Sequence, residues 1–423
     1  MATPGGDDLL ELEVGAIAGG GGCVARAPDG KVVFVRHSLP GERVRARVTA
    51  STSSYLRADA VEILVASPDR VEPPCPHAGP GRCGGCDFQH VALAAQRRLK
   101  GARVTELLRQ IAGVERDVDV EGVEGGHDGL AWRTRVRLAV DRGGLVGFRR
   151  HRSHRVEPID ECPVATNDVM ATGAFTARWP GMAEVEIVTG SAAGEAVMSA
   201  TPNGRATPPL PSVDAGVVVR GKVRRDPGAV RMHVRGQTYR VSAGVFWQAH
   251  CGAPETLLTA VLDAVGPCDG ASVVDLYSGA GLFAVALAHA VGPGGSVLAV
   301  EHDRRACADA RHNGPGRPHF SVDEADVTPE LVATGIGRPS IVVLDPAREG
   351  AGTAVMHALA GLAPTLRGVV YVSCDAASFA RDVRVLLDED WELTSLRAFD
   401  IFPMTEHVEL VARIEPPSTA GFS

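Results

Sequence analysis

Three sets of residues in this chain have types and spacings suited to chemistry. The first is a single thiol. In the stretch GVVYVSCDAASFARDV an apolar, β-branched run (Val369 to Val372) stops just before Cys374, and helix-like text from Ala377 to Leu387 follows. A cysteine between the carboxyl end of a buried strand and a helix N-terminus sits where the thiolate, the nucleophilic form, is favoured. Taken alone, it reads first as a buried thiol without a task, because free cysteine is commonly buried.

The second set is Cys75, Cys83 and Cys86, which lie within twelve positions, with Gly84 and Gly85 inside the C-x2-C. Glycines there let the backbone turn both sulfurs toward one centre and leave amides free to bond sulfur. Cys162 is the best fourth member, since Pro163 after it repeats the Cys75-Pro76 pair. Four thiolates suit either zinc or a [4Fe-4S] cluster, and spacing does not choose between them. The odd total of nine cysteines fits a reducing compartment better than a disulfide framework.

The third set is a series of polar strand ends. Tyr277-Ser278-Gly279-Ala280-Gly281 is a glycine turn that follows the strand ending near Asp275, and Glu301, Asp326 and Asp345 each follow a later strand. Ligands of open parallel sheets bind at the carboxyl ends of strands, where glycine allows close backbone approach. A carboxylate at Glu301 can hold both hydroxyls of an adenosine ribose. Ala284 stands where a dinucleotide fingerprint would carry its third glycine, so the pattern fits NAD or S-adenosylmethionine.

The chain that must position these groups has 423 residues, enough for two to four domains. Its 45% hydrophobic and 22% charged content is that of a soluble globular protein. The start lacks the pattern of a signal peptide and no apolar run suits a membrane span, so a cytoplasmic location is expected. A net charge of −8 excludes a globally basic nucleic-acid binder. From Arg133 to Arg155, however, eight arginines and two histidines meet one acid, Asp141. With Arg135, Arg137, Arg149 and Arg150 on alternating strand positions, this reads as a polyanion-binding face.

The expected architecture is α/β and β multidomain. Residues 1–68 read as a small OB-like β-barrel, and 69–242 as a β-rich central domain holding the cysteines. Within the latter, an amphipathic helix over 91–112 is free to pack on the C-terminal domain. Residues 243–423 alternate strands and helices as a Rossmann-like domain does, closing in an antiparallel hairpin.

Two resemblances join these parts. GGGGCVARAPDGKVVFVRHSLPGERVRARV is similar to a TRAM domain, an RNA-binding module. VVDLYSGAGLFAVALA, VLDPAREGAG, YVSCDAASFARDV and FDIFPMTEHVE, with Phe246-Trp247-Gln248 upstream, resemble the RNA (uracil-5-)-methyltransferases that act on tRNA or 23S rRNA. The resemblance implies that Cys374 attacks carbon 6 of uracil and that Glu409 removes the proton from carbon 5. It also implies that Gln248, Tyr277, Glu301 and Asp345 bind S-adenosylmethionine, with Asp326, Gly279 and Gly281 beside the adenosine. Cys75, Cys83, Cys86 and Cys162 would hold a [4Fe-4S] cluster, with zinc the lesser candidate. The expected partner is RNA, 23S rRNA before tRNA, and the expected state a monomer.

The chain departs from the family pattern in three places. Asp375-Ala376 replaces the commoner Asn-Pro, seven residues separate Cys75 from Cys83 where five are common, and Leu282 stands where some relatives are polar. A non-catalytic RNA-binding protein is the alternative from another class. An amino-methyltransferase lacks support, since Asp345-Pro346-Ala347-Arg348 is not an Asn/Asp-Pro-Pro-aromatic motif.

Overall fold

A computed structural model of the chain describes residues 9–314, 316 and 319–417. The N-terminal strands, from Leu9–Glu13 to Tyr55–Val65, form one six-stranded sheet. Alternation builds it: in Arg43–Ser51, Val44 and Ala46 point inward while Arg43, Arg45 and Arg47 face water. The Gly15 amide donates to the Val24 carbonyl at 2.7 Å, which closes the curled sheet behind its first strand.

The central unit is a seven-stranded sheet around Trp132 and Trp179. The arginine-rich hairpin is real, with Arg135–Val140 antiparallel to Val146–Arg149. Its charges are not all free. Arg135 and Arg137 both bond the buried Glu186 carboxylate, and Arg150 pairs with Glu157 at 2.7 Å. Among the described residues, Arg149 and Arg152 have no such partner. The expected polyanion face is therefore narrower than the arginine spacing implies, because acids from the neighbouring strands pair with three of its eight arginines.

In the C-terminal sheet five strands are parallel, in spatial order Phe320–Glu324, Ser296–Glu301, Ser272–Leu276, Ile341–Leu344 and Gly368–Ser373. Glu409–Glu415 and then Glu392–Asp400 continue it as the expected antiparallel pair. Near-continuous apolar runs such as Ile341–Leu344 are buried on both faces, as parallel strands under helices must be. Val273 points to one helical layer and Val274 to the other. The chain steps outward from Ser272–Leu276 through two strands, then returns to Ile341–Leu344 on its other side. That reversal opens a crevice at the carboxyl ends of these two strands.

Residues from the expected central region are built into this layer. The helix Leu93–Leu107 packs Val104 and Leu107 among Phe379, Val383 and Leu386, and Val120–Gly122 adds an eighth strand beside Glu392–Asp400. Lys100, fully buried on that helix, bonds Asp400 at 2.5 Å. No described helix is long and apolar enough to cross a membrane.

Candidate active site

The strand Gly368–Ser373 is buried along its whole length and ends opposite Leu410. Cys374 follows at once. Asp375 then caps the helix Ala376–Leu387, its carboxylate accepting the Ser378 amide at 2.8 Å. Asp thus does the capping work at this corner, and the thiol stands where the sequence pattern places it.

Its protonation does not follow the helix-terminus expectation. Burial, reinforced by the carboxylates of Glu409 and Asp345 and opposed by Arg348, pushes the Cys374 thiol up to about 12. Desolvation and like charge outweigh the helix here. Glu409, 2% exposed, is itself raised well above the ordinary carboxylate range by burial and then by Asp345. Burial lifts Asp345 to about 7. The resting centre is a thiol beside two carboxyls whose ionisation burial opposes, Glu409 more strongly than Asp345, bordered by one guanidinium.

Arg348 and His407 are neighbours that sequence reasoning passed over, although both lie in quoted motifs. The Arg348 guanidinium donates to His407 Nε2 at 3.1 Å. Burial, then Arg348, holds the imidazole down at about 4, so it is neutral and able to accept. The loop carrying Asp345 and Arg348 is clamped by the same helix that follows Cys374. Asp382 accepts from the Ala351 amide at 2.8 Å, the Gly352 amide at 3.2 Å and the Tyr371 hydroxyl at 2.7 Å. Ser378 Oγ donates to the Arg348 carbonyl at 2.8 Å. Nothing local marks Asp382, whose role depends on residues some thirty positions away.

The glycine turn lies at the same crevice. Tyr277 (φ 62°), Gly279 (φ 55°) and Gly281 (φ 88°) all take left-handed backbone, uncommon for tyrosine and found where function demands it. A Cβ on Gly279 would meet nothing within 4 Å, so this turn faces open space. The Gly279 amide donates to Glu301 at 2.9 Å, which fixes that carboxylate at the end of its strand. Gln248 reaches Asp345 at 3.5 Å. Asp326 is exposed just beyond the outer strand, next to Ala325, whose amide bonds the Glu301 carbonyl. Asp275 is fully buried, its carboxyl oxygens without a close hydrogen-bond partner among the described residues, and burial and then Asp345 hold its proton. The open turn, the ribose-type carboxylate and the acids beyond it fit a nucleoside carrying a positive charge.

The four candidate cysteines are together elsewhere, lining one cavity between the loop 75–86, Phe148 and Val164. Among the described residues, no three His, Cys, Asp or Glu side chains are drawn together around a single metal position. The Gly85 amide points at Cys83 Sγ at 3.4 Å, and burial raises the Cys162 thiol against the opposing pull of the Val164 and Ala165 amides. A Cβ on Gly84 would meet His151 N at 2.8 Å, so that glycine allows the loop to press on the arginine hairpin.

The TRAM domain family model matches residues 10–61. An RNA methyltransferase of Streptomyces coelicolor is 45% identical, over 96% of this chain and 92% of its own. The 23S rRNA (uracil(1939)-C(5))-methyltransferase RlmD of Shewanella sp. ANA-3 is 30% identical over 92% and 91%. Among solved structures, Pyrococcus abyssi tRNA (uracil-54, C5)-methyltransferase, in complex with S-adenosyl-L-homocysteine, aligns over 96% of this chain and 100% of its own. Its TM-score is 0.72 at 21% identity, a likeness of fold.

Proposed function

Because this chain belongs to the TRAM-domain RNA (uracil-5-)-methyltransferase family, we propose that Cys374 and Glu409 carry its reaction, through a transient bond from the Cys374 sulfur to carbon 6 of a uridine. The observation that carries this reading is the pairing register: Ser373 opposite Leu410 makes Cys374 and Glu409 the next facing positions, beside Asp345 at the crevice.

Carbon 5 of uracil is a poor nucleophile until sulfur adds at carbon 6 and the electrons of the double bond move into an enolate. Bound S-adenosylmethionine supplies an electrophilic methyl group and a sulfonium charge. Gln248, Tyr277, Glu301 and Asp345 would hold it, with Gly279 and Gly281 lining its path and Asp326 at the adenine side. Cys374 must give up its proton to solvent to attack, and an adjacent cation eases that loss as well as the ionisation of Asp345 and Glu409. Glu409, once ionised, takes the proton from carbon 5; the double bond re-forms and the sulfur leaves carbon 6. The uridine must leave its stack to reach the crevice, which RNA loops permit most readily.

We favour 23S rRNA as substrate, since the relatives bearing that name align along the chain's length. The four cysteines are proposed to hold a [4Fe-4S] cluster. Their thiols line one cavity, and the Gly85 amide is aimed at Cys83 Sγ, as amides are toward cluster sulfur. The test of the reaction uses RNA carrying 5-fluorouridine, whose carbon 5 bears no removable proton. Wild-type protein is expected to form a covalent complex stable to denaturant, and Cys374→Ala none. Methyl transfer at full rate by Cys374→Ala would overturn the proposal.

A further inference from the structure

We infer that the glycine turn of the N-terminal barrel is part of the catalytic scaffold, holding the loop that carries Glu409 in place through Glu406. The inference rests on the role proposed for Glu409. One carboxylate oxygen of Glu406 accepts the amides of both Gly20, at 2.6 Å, and Gly21, at 2.7 Å. Gly20 (φ 85°) and Gly21 (φ 67°) are successive left-handed residues. That geometry turns consecutive amides toward one point, an anion-binding concavity made of backbone alone. Here the anion comes from the protein itself, some 385 positions further along the chain.

Glu406 lies three residues before Glu409, in the connection between Glu392–Asp400 and Glu409–Glu415. That connection is held at a second point by the central region. The Asp87 and Phe88 amides donate to the Met404 carbonyl at 3.0 and 2.9 Å, and Gln96 accepts the Met404 amide at 2.8 Å. Asp87 also limits the turn, since a Cβ on Gly21 would stand 2.5 Å from the Asp87 Cβ. The barrel, the cysteine-loop region and the methyltransferase layer therefore meet on one short segment. A proton-abstracting carboxylate has to be placed within hydrogen-bond reach of its target. Glu406 is a positioning residue for Glu409, and the barrel acts on the rate as well as on RNA affinity.

The experiment compares Glu406→Ala, Glu406→Gln and Gly21→Ala in the full-length protein, by hydrogen exchange of residues 402–409 and by single-turnover methylation at saturating RNA. Glu406→Ala is expected to speed exchange in the loop and to lower the rate, each about tenfold, the loss that ~1.4 kcal/mol corresponds to. RNA affinity should stay within about twofold. A carboxamide oxygen can accept both amides, so Glu406→Gln should restore both readouts. Gly21→Ala should reproduce the alanine phenotype from the barrel side. Unchanged loop exchange in Glu406→Ala, or weakened RNA binding with the saturated rate intact, would overturn the inference. The exchange readout needs no turnover, so a wild-type protein inactive on uridine would count against the proposed reaction and leave the clasp standing.

Discussion

Glu409 faces Cys374 across the mouth of two antiparallel strands, one position beyond the Ser373–Leu410 pair. This register sets the Glu409 carboxyl against the thiol, and when ionised it is the largest charge opposing the thiolate, after burial itself. The arrangement suits a base that acts after the nucleophile. A Glu409 that holds its proton puts no charge on the thiol, and its own ionisation becomes easier once the thiolate charge has passed into the adduct.

Glu409→Gln should therefore separate the two halves of the reaction. We expect it to add the methyl group and then stall, so that an RNA–protein adduct accumulates with ordinary uridine RNA on a denaturing gel. Cys374→Ala combined with Glu409→Gln should show no adduct. A Glu409→Gln protein that turns over freely would mean that another group removes the proton.

The raised thiol and carboxylates give the pH dependence a definite sign. Deprotonation of Cys374 and of Glu409 both advance as pH rises, so the single-turnover rate should climb from about pH 6 to about pH 9. A rate that falls across this window would contradict the assignment.

Stability of the cofactor-free protein should run the other way. Asp345, near 7 when folded, has an ordinary value of about 3.9 when unfolded. Its protonated form is the one that the folded site accommodates. That contribution is complete below about pH 4 and is lost as pH rises through about 7. Asp345→Asn should flatten this part of the Tm–pH curve between about pH 4 and pH 7, as followed by scanning calorimetry.

Lys100 and Asp400 form a fully buried ion pair joining the helix Leu93–Leu107 to the strand that leads into the Glu406 loop. Lys100→Met leaves the buried Asp400 carboxylate with only the more distant, partly exposed Arg97, at 3.7 Å, and should cost about 3 kcal/mol in denaturant unfolding. Replacing both, as Lys100→Met with Asp400→Leu, should recover much of that. A single variant as stable as the wild type would show that the pair contributes little.

Anaerobically purified protein should be brownish and carry about four irons per chain, held by four thiolates. Cys86→Ser should bleach it. Colourless protein with one zinc would replace the cluster assignment. Because Gly84 presses the cysteine loop on the arginine hairpin, loss of the cluster should also weaken RNA binding, measured by filter retention at fixed salt.

Local properties carried much of this protein's description from the residues alone. Period-two alternation marks the barrel strands, apolar runs mark the buried parallel ones, and glycine marks the turn at Gly279 and Gly281, because each depends only on neighbours in the chain. Cys374 at a strand end and the four cysteines around one cavity were legible for the same reason, together with the motif resemblance. What the tertiary structure alone decided involves groups brought together from distant positions. It set the Cys374 thiol high rather than low, because burial and two carboxylates arrive from other strands. It paired Arg135 and Arg137 with Glu186 and so removed them from the expected polyanion face. It built the helix Leu93–Leu107 into the methyltransferase layer and seated Glu406 on the barrel's glycine turn. Electrostatic environment and domain contact are sums over the folded neighbourhood, and no spacing along a chain contains them.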